Sequence, residues 1–185
     1  CIMGLSIYYS GKIKDAASLP FLIEEVKDIS KTYGWKYKIY ENSFPANRLD
    51  DEEYLEPIYG INFTPPECET ISITFLSNGV MVCPARVRYF GNSENAIEKN
   101  YIYQISVKTQ YSGSIIHSII TNLFKYLDSR YFVNFKLKDD SYYWETGDEN
   151  LLQERFKADD ALLDNFTLSL ETFPMQKEEN MISYF

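Results

Sequence analysis

The sequence predicts an α+β domain: a two-layer sandwich in which a mostly antiparallel, twisted sheet carries its helices on one face. Three observations predict it. Several short segments alternate apolar and polar residues, as half-buried strands do. Two longer stretches repeat apolar residues at spacings of three and four, the period of a one-striped helix. Between two alternating runs stands Asn78-Gly79, the dipeptide most favoured in a tight hairpin.

In chain order, Leu5-Ser6-Ile7-Tyr8-Tyr9 alternates and reads as a strand. In the following stretch Leu19, Leu22, Ile23, Val26, Ile29 and Tyr33 form one helical stripe, with Ser18 and Pro20 marking its start and Gly34 its stop. Lys36–Glu41 returns as a strand, and the proline-bearing run from Asn42 to Pro57 reads as a long loop. A β-rich middle comes next: Tyr59–Phe63, then Thr70–Leu76, then the hairpin signal leading into Val80–Phe90 as a further strand. Gly91–Asn100 reads as loop and Tyr101–Tyr111 as a strand with period two.

A second helix is expected over the stretch holding Ile115, Ile116, Ile119, Ile120, Leu123, Phe124 and Leu127. Phe132–Asp139 alternates again as a strand running into Tyr142-Tyr143-Trp144. A third helix carries Leu152, Phe156, Leu163, Phe166 and Leu170 and is expected to stop at Pro174, leaving residues 172–185 as a polar tail.

At 185 residues, one domain spanning 1–185 is the expectation, with core enough to stand alone. Within it, residues 4–41 and 101–139 share a plan. Each has a strand ending in Tyr-Ser-Gly (Tyr9-Ser10-Gly11 and Tyr111-Ser112-Gly113), then a helix, an aromatic junction and an alternating strand. Two related strand–helix–strand halves would explain that plan, and so would chance.

Composition narrows the function. The net charge of −9 repels phosphate backbones, and no basic cluster offsets it, so nucleic acid is not an expected partner. The sixteen tyrosines and twelve phenylalanines suit half-buried sheet faces, where a ring packs while a hydroxyl reaches water. Three cysteines, Cys1, Cys68 and Cys83, form no CxxC pair, which argues against a disulfide framework and a structural zinc site. No apolar run is long enough for a membrane span, and no signal peptide is evident. A cytoplasmic location is the expectation. The alternative is a lipid anchor through Cys1, should that residue be a mature N-terminus; Met3 as the initiator is a third reading.

Few residues carry chemical promise. Thr146-Gly147-Asp148-Glu149 fits a capping box, in which Thr146 caps the helix and Glu149 reaches back, so two of the three acids there have structural work. The candidate binding residues are Tyr143, Trp144, Glu145 and His117; among them Glu145 with an exposed Trp144 would form an aromatic-plus-carboxylate grip for a sugar or a cationic group. His117 is the lone histidine, so any triad must use it. It is expected at the margin of the second helix's apolar face, half buried. No catalytic residue is nominated, and neither a metal nor a cofactor is expected. One histidine excludes multi-histidine sites, the Asp50–Glu53 run lacks calcium-loop spacing, and no Walker loop or GxGxxG occurs.

The reading these features favour is a binding domain, meeting a basic protein partner through an acidic, tyrosine-bearing surface. One alternative is a small-molecule hydrolase or transferase using carboxylates near Trp144. Another is a structural subunit of a homo-oligomer.

Overall fold

A computed structural model describes residues 4–45, 49 and 57–182, with the backbone alone from 172 onward. It is an α+β fold of two small antiparallel sheets and six helices. Expectations concerning Cys1, Met3 and the Asp50–Glu53 run lie outside the described residues.

The first strand, β1 (Ser6–Ile13), is central in its sheet. Helix α1 (Ser18–Tyr33) follows, its first turn closed by Asp15, whose Oδ1 accepts from both the Ser18 N–H and hydroxyl. It stops where the sequence says. Gly34 takes the left-handed conformation at φ 70°, which glycine adopts without a Cβ clash, and the Trp35 N–H returns to the Ser30 carbonyl at 2.8 Å. That return buries Trp35, which stacks on Phe63 at 5.7 Å.

Strands β2 (Lys36–Ile39), β3 (Tyr59–Thr64) and β4 (Ile71–Phe75) make one antiparallel sheet in the order β2-β3-β4. Strand β2 is an exposed edge carrying two lysines, a composition that discourages pairing with a further strand. At Gly60, φ is +117° and a Cβ would stand 2.3 Å from the Ile73 carbonyl oxygen, so only glycine lets β3 and β4 approach this closely.

The Asn78-Gly79 turn joins the two sheets. It differs from the two-residue turn expected, because among non-glycine residues Asn78 does not take positive φ and only Gly79 does, at 81°. The Gly79 N–H bonds the Leu76 carbonyl and the Leu76 N–H bonds Val80, giving a three-residue loop. Val80 and Met81 then pair on one side with Phe75 and on the other with Gly11–Ile13 of β1.

The strand expected over Val80–Phe90 ends there. Pro84 has no N–H for a ladder but suits the first turn of a helix, and α2 (Pro84–Phe90) begins with it. The loop expected over Gly91–Asn100 holds a short helix, α3 (Ala96–Lys99), capped by the Asn95 side chain. The strand expected over Tyr101–Tyr111 shrinks to β5 (Ile105–Lys108), with tight 3₁₀ turns at Asn100–Tyr103 and Gln110–Ser112. The expected alternation holds only within β5; in the flanking 3₁₀ turns Ile102 and Gln110 are buried instead, and Tyr111 is exposed.

Helix α4 (Ser114–Tyr131) and strand β6 (Phe132–Asp139) appear as expected. The order of the second sheet is β5-β1-β6, so β1 is antiparallel to both neighbours. Both strand–helix–strand segments are therefore present, but their Tyr-Ser-Gly triplets fold differently. Gly11 sits within β1 at a register shift, whereas Gly113 leaves a 3₁₀ turn at φ 88° and opens α4.

Helices α1 and α4 lie side by side over the sheets, and Leu22, Val26, Phe124 and Leu127 share one core with Ile7, Tyr9, Ile61, Phe63 and Phe75. The Tyr9 hydroxyl donates to the Ser72 carbonyl at 2.7 Å, tying β1 to β4; burial pushes this phenol's pKa far up, so it stays neutral. The hydroxyls of Tyr126 and Tyr131 on α4 both donate to Glu25 on α1.

After β6 come the single turn α5 (Tyr143–Thr146) and the long helix α6 (Glu149–Ile182). Tyr142 therefore begins a helical turn at φ 61° rather than ending a strand. The stop expected at Pro174 does not occur, since α6 is continuous across it. Pro174 lacks the N–H that would bond the carbonyl four residues back, that of Leu170, a residue on the exposed part of the helix. Among the described residues, no helix is long and apolar enough to cross a membrane.

Candidate functional site

Helix α6 starts where the sequence places a helix start, two residues later than the expected cap. Asp148 is the cap: its Oδ1 accepts from the N–H groups of Asn150 and Leu151 at 2.9 and 3.1 Å. The Thr146 hydroxyl instead donates to the Tyr142 carbonyl and accepts from the Asp148 N–H, closing α5. Glu149 lies in the first turn of α6, where peptide dipoles favour its charge.

The nominated residues divide between core and surface. Tyr143 is buried in a small core with Leu5, Leu152 and Phe156. Trp144 is half buried against Phe135, and Lys125 supplies a cation 5.4 Å from its ring. Glu145 is exposed. The ring expected to be exposed beside Glu145 is thus half buried and already faces a lysine of the same chain.

His117 departs furthest from its expectation. The ring is fully buried rather than marginal, and its edge is covered by Phe156 of α6 at 5.4 Å. Both nitrogens are engaged. Nδ1 meets the Thr109 hydroxyl at 2.7 Å, and Nε2 meets Asp139 Oδ1 and Oδ2 at 3.0 and 3.1 Å and the Ser141 hydroxyl at 2.9 Å. A carboxylate can only accept, so the Nε2 proton points at Asp139. Burial alone would raise the Asp139 pKa, but the bonds from His117 and Ser141 outweigh it and hold this carboxyl below the usual carboxylate range. Its oxygens also accept from the Ser141 and Trp144 N–H groups at 2.8 and 3.0 Å.

Histidine, aspartate and serine in contact invite comparison with a hydrolytic triad, and the geometry answers it. A triad needs the aspartate on one imidazole nitrogen and the serine on the other, so that the serine proton can pass to the ring. Here Asp139 and Ser141 share Nε2, and the Ser141 hydroxyl gives its proton to Asp139 Oδ1 at 2.7 Å. Serine, histidine and aspartate are all sealed from solvent. The arrangement ties the end of β6, the start of α4 and the turn after β5 into one polar knot. Thr121, one turn along α4, donates to the His117 carbonyl.

A neighbouring pair extends the knot to the surface. Gln110 accepts from the Leu5 N–H at 3.0 Å and donates to Asp160 of α6 at 2.6 Å. Asp160, Asp159 and Asp140 lie close together; partial burial first, then repulsion from Asp140 and Asp160, raises the pKa of Asp159. Beside them Lys108 lies over the Tyr111 ring and Arg155 over Tyr142.

Sequence reasoning named His117 but not Thr109, Asp139 or Ser141. The one local signal was Asp139-x-Ser141, the spacing of an aspartate that bonds the backbone two residues on. Nothing local connects those residues to a helix twenty residues earlier.

Among the described residues, no group of histidine, cysteine and carboxylate side chains is arranged to hold a metal ion. Cys68 and Cys83 are free thiols, and burial pushes Cys68 up to about 11. The fold is of the α+β class, and its lone histidine is sealed within this hydrogen-bonded knot. The chain matches no protein-family model, no curated protein and no solved structure.

Proposed function

We propose that the chain is a protein-binding domain and that the outer half of α6 meets a partner carrying basic side chains around an apolar groove. One observation carries the reading. The helix anchors to the body through Leu152 and Phe156, yet farther along it Leu162, Phe166, Leu168 and Leu170 are about half exposed or more. Leu163, Phe166 and Leu170 continue the three-four spacing begun by Leu152 and Phe156, so the anchoring stripe runs on beyond the body. Glu149, Glu154, Asp159, Asp160, Asp164 and Glu171 outnumber Arg155 and Lys157 along the same stretch.

An apolar stripe bordered by carboxylates suits helix-in-groove recognition by a cationic rim. At the root of the helix, exposed Tyr111 and Tyr142 each already accept a cation on the ring face, the contact a basic partner would extend.

Fluorescence anisotropy with a labelled amphipathic peptide of lysine and leucine tests the proposal. Saturable binding should weaken steeply with added salt and weaken again in a Phe166→Ser, Leu170→Ser double variant. Binding indifferent to both changes would refute it. Sedimentation velocity separates the homo-oligomer: a concentration-dependent dimer that the double variant abolishes assigns the stripe to a second copy instead.

A further inference from the structure

We infer that the cleft over the outer face of the β5-β1-β6 sheet is a binding site for a small organic phosphate bearing a flat ring. Antiparallel register builds it. Ser106, Tyr8 and Lys138 lie directly opposite one another across the three strands, and Ser10 lies opposite Lys136 in the next row. Side chains alternate along a strand, and Ile7 and Tyr9 point to the core. The rows of Tyr8 and Ser10 therefore face the other way. The cleft, with a volume of about 560 Å³, is closed on one side by Arg86 of α2 and by Tyr103 and Gln104 after α3. That size suits a compact ligand of nucleotide dimensions.

The charge of the lining runs against the charge of the chain. Asp and Glu outnumber Lys and Arg by 27 to 18, yet the described residues lining the cleft include three cations, Arg86, Lys136 and Lys138, and no carboxylate. Among the described residues none of the three cations forms an ion pair. Lys138 rests 5.5 Å from the Tyr8 ring, so aromatic surface and positive charge are presented together. A dianionic phosphate satisfies the cations through charge-assisted bonds, and a flat ring finds the aromatic surface of Tyr8. The site is separate from the α6 stripe, and either can fail alone.

Isothermal titration with adenosine 5′-monophosphate, adenosine and inorganic phosphate provides the test, run on the full chain. The nucleotide should bind saturably and at least roughly tenfold more tightly than adenosine or phosphate alone. Lys136→Gln, Lys138→Gln and Arg86→Gln should each weaken it by roughly tenfold, with an unchanged thermal midpoint for the two exposed lysines. Tyr8→Leu should weaken the nucleotide and spare inorganic phosphate, while Lys125→Gln, which lies against Trp144, should change neither. Absence of saturable binding, or affinity untouched by the lysine variants, overturns the inference. So does displacement of the nucleotide by a glutamate-rich peptide of higher affinity, which would give the cleft to an acidic chain.

Discussion

His117 Nε2 lies 3.0 Å from Asp139 Oδ1, and both side chains are completely shielded from water. Shielding makes the pair matter in the negative sense: losing one partner strands the other in a medium that cannot solvate it. Asp139→Asn should cost about 2–4 kcal/mol of unfolding free energy in urea titrations. Combined with His117→Gln in a double-mutant cycle, it should reveal a coupling of about 1–3 kcal/mol. Strictly additive, small losses would mean the two groups are independent passengers of the core.

The same carboxylate sets an acid limit. Its pKa is depressed in the folded protein relative to an unfolded value near ~3.9. Its contribution is therefore fully present above about pH 4 and is lost as pH falls through the folded value. Urea midpoints followed downward through the acid range should drop, and Asp139→Asn should flatten that limb. Asp159 has the opposite sign, since its raised pKa means its charge opposes folding at neutral pH. Asp159→Asn should raise the thermal midpoint there.

Removal of the α6 cap distinguishes the two residues that could provide it. Asp148→Ala deprives two N–H groups of their acceptor and should cost about 1 kcal/mol. Thr146→Ala removes only the closing bonds of a single turn and should cost less than half as much, by the same urea titration. Equal losses would place the cap where the Thr-x-x-Glu spacing puts it.

What was legible in the sequence was what local physics decides. Helices α1 and α4 were readable from a stripe every three or four residues, and the end of α1 from Gly34, because a helix satisfies its backbone within itself. The failures cluster where two local rules compete. In Val80–Phe90 apolar alternation argued for a strand and Pro84 for a helix start, and the missing N–H won. At Tyr142–Thr146 aromatic residues argued for strand, and a left-handed Tyr142 turned the chain into α5. The partners of His117 were illegible for a different reason. They come from the end of β5 and the end of β6, and only the pairing of β1 with both brings those ends together.

The position of β1 has a further consequence for biosynthesis. This strand is among the earliest described residues, yet its neighbours on either side are β5 and β6, and the Ser6 N–H bonds Asp140, 134 residues later. A ribosome extends the chain slowly compared with the closing of local contacts, so β1 can meet Val80–Met81 and then β5 as they emerge but gains its longest pairing only with the last strand. Nascent chains halted before Phe132 should remain protease-sensitive and chaperone-bound, while release of a chain through α6 should bring protection in a single late step.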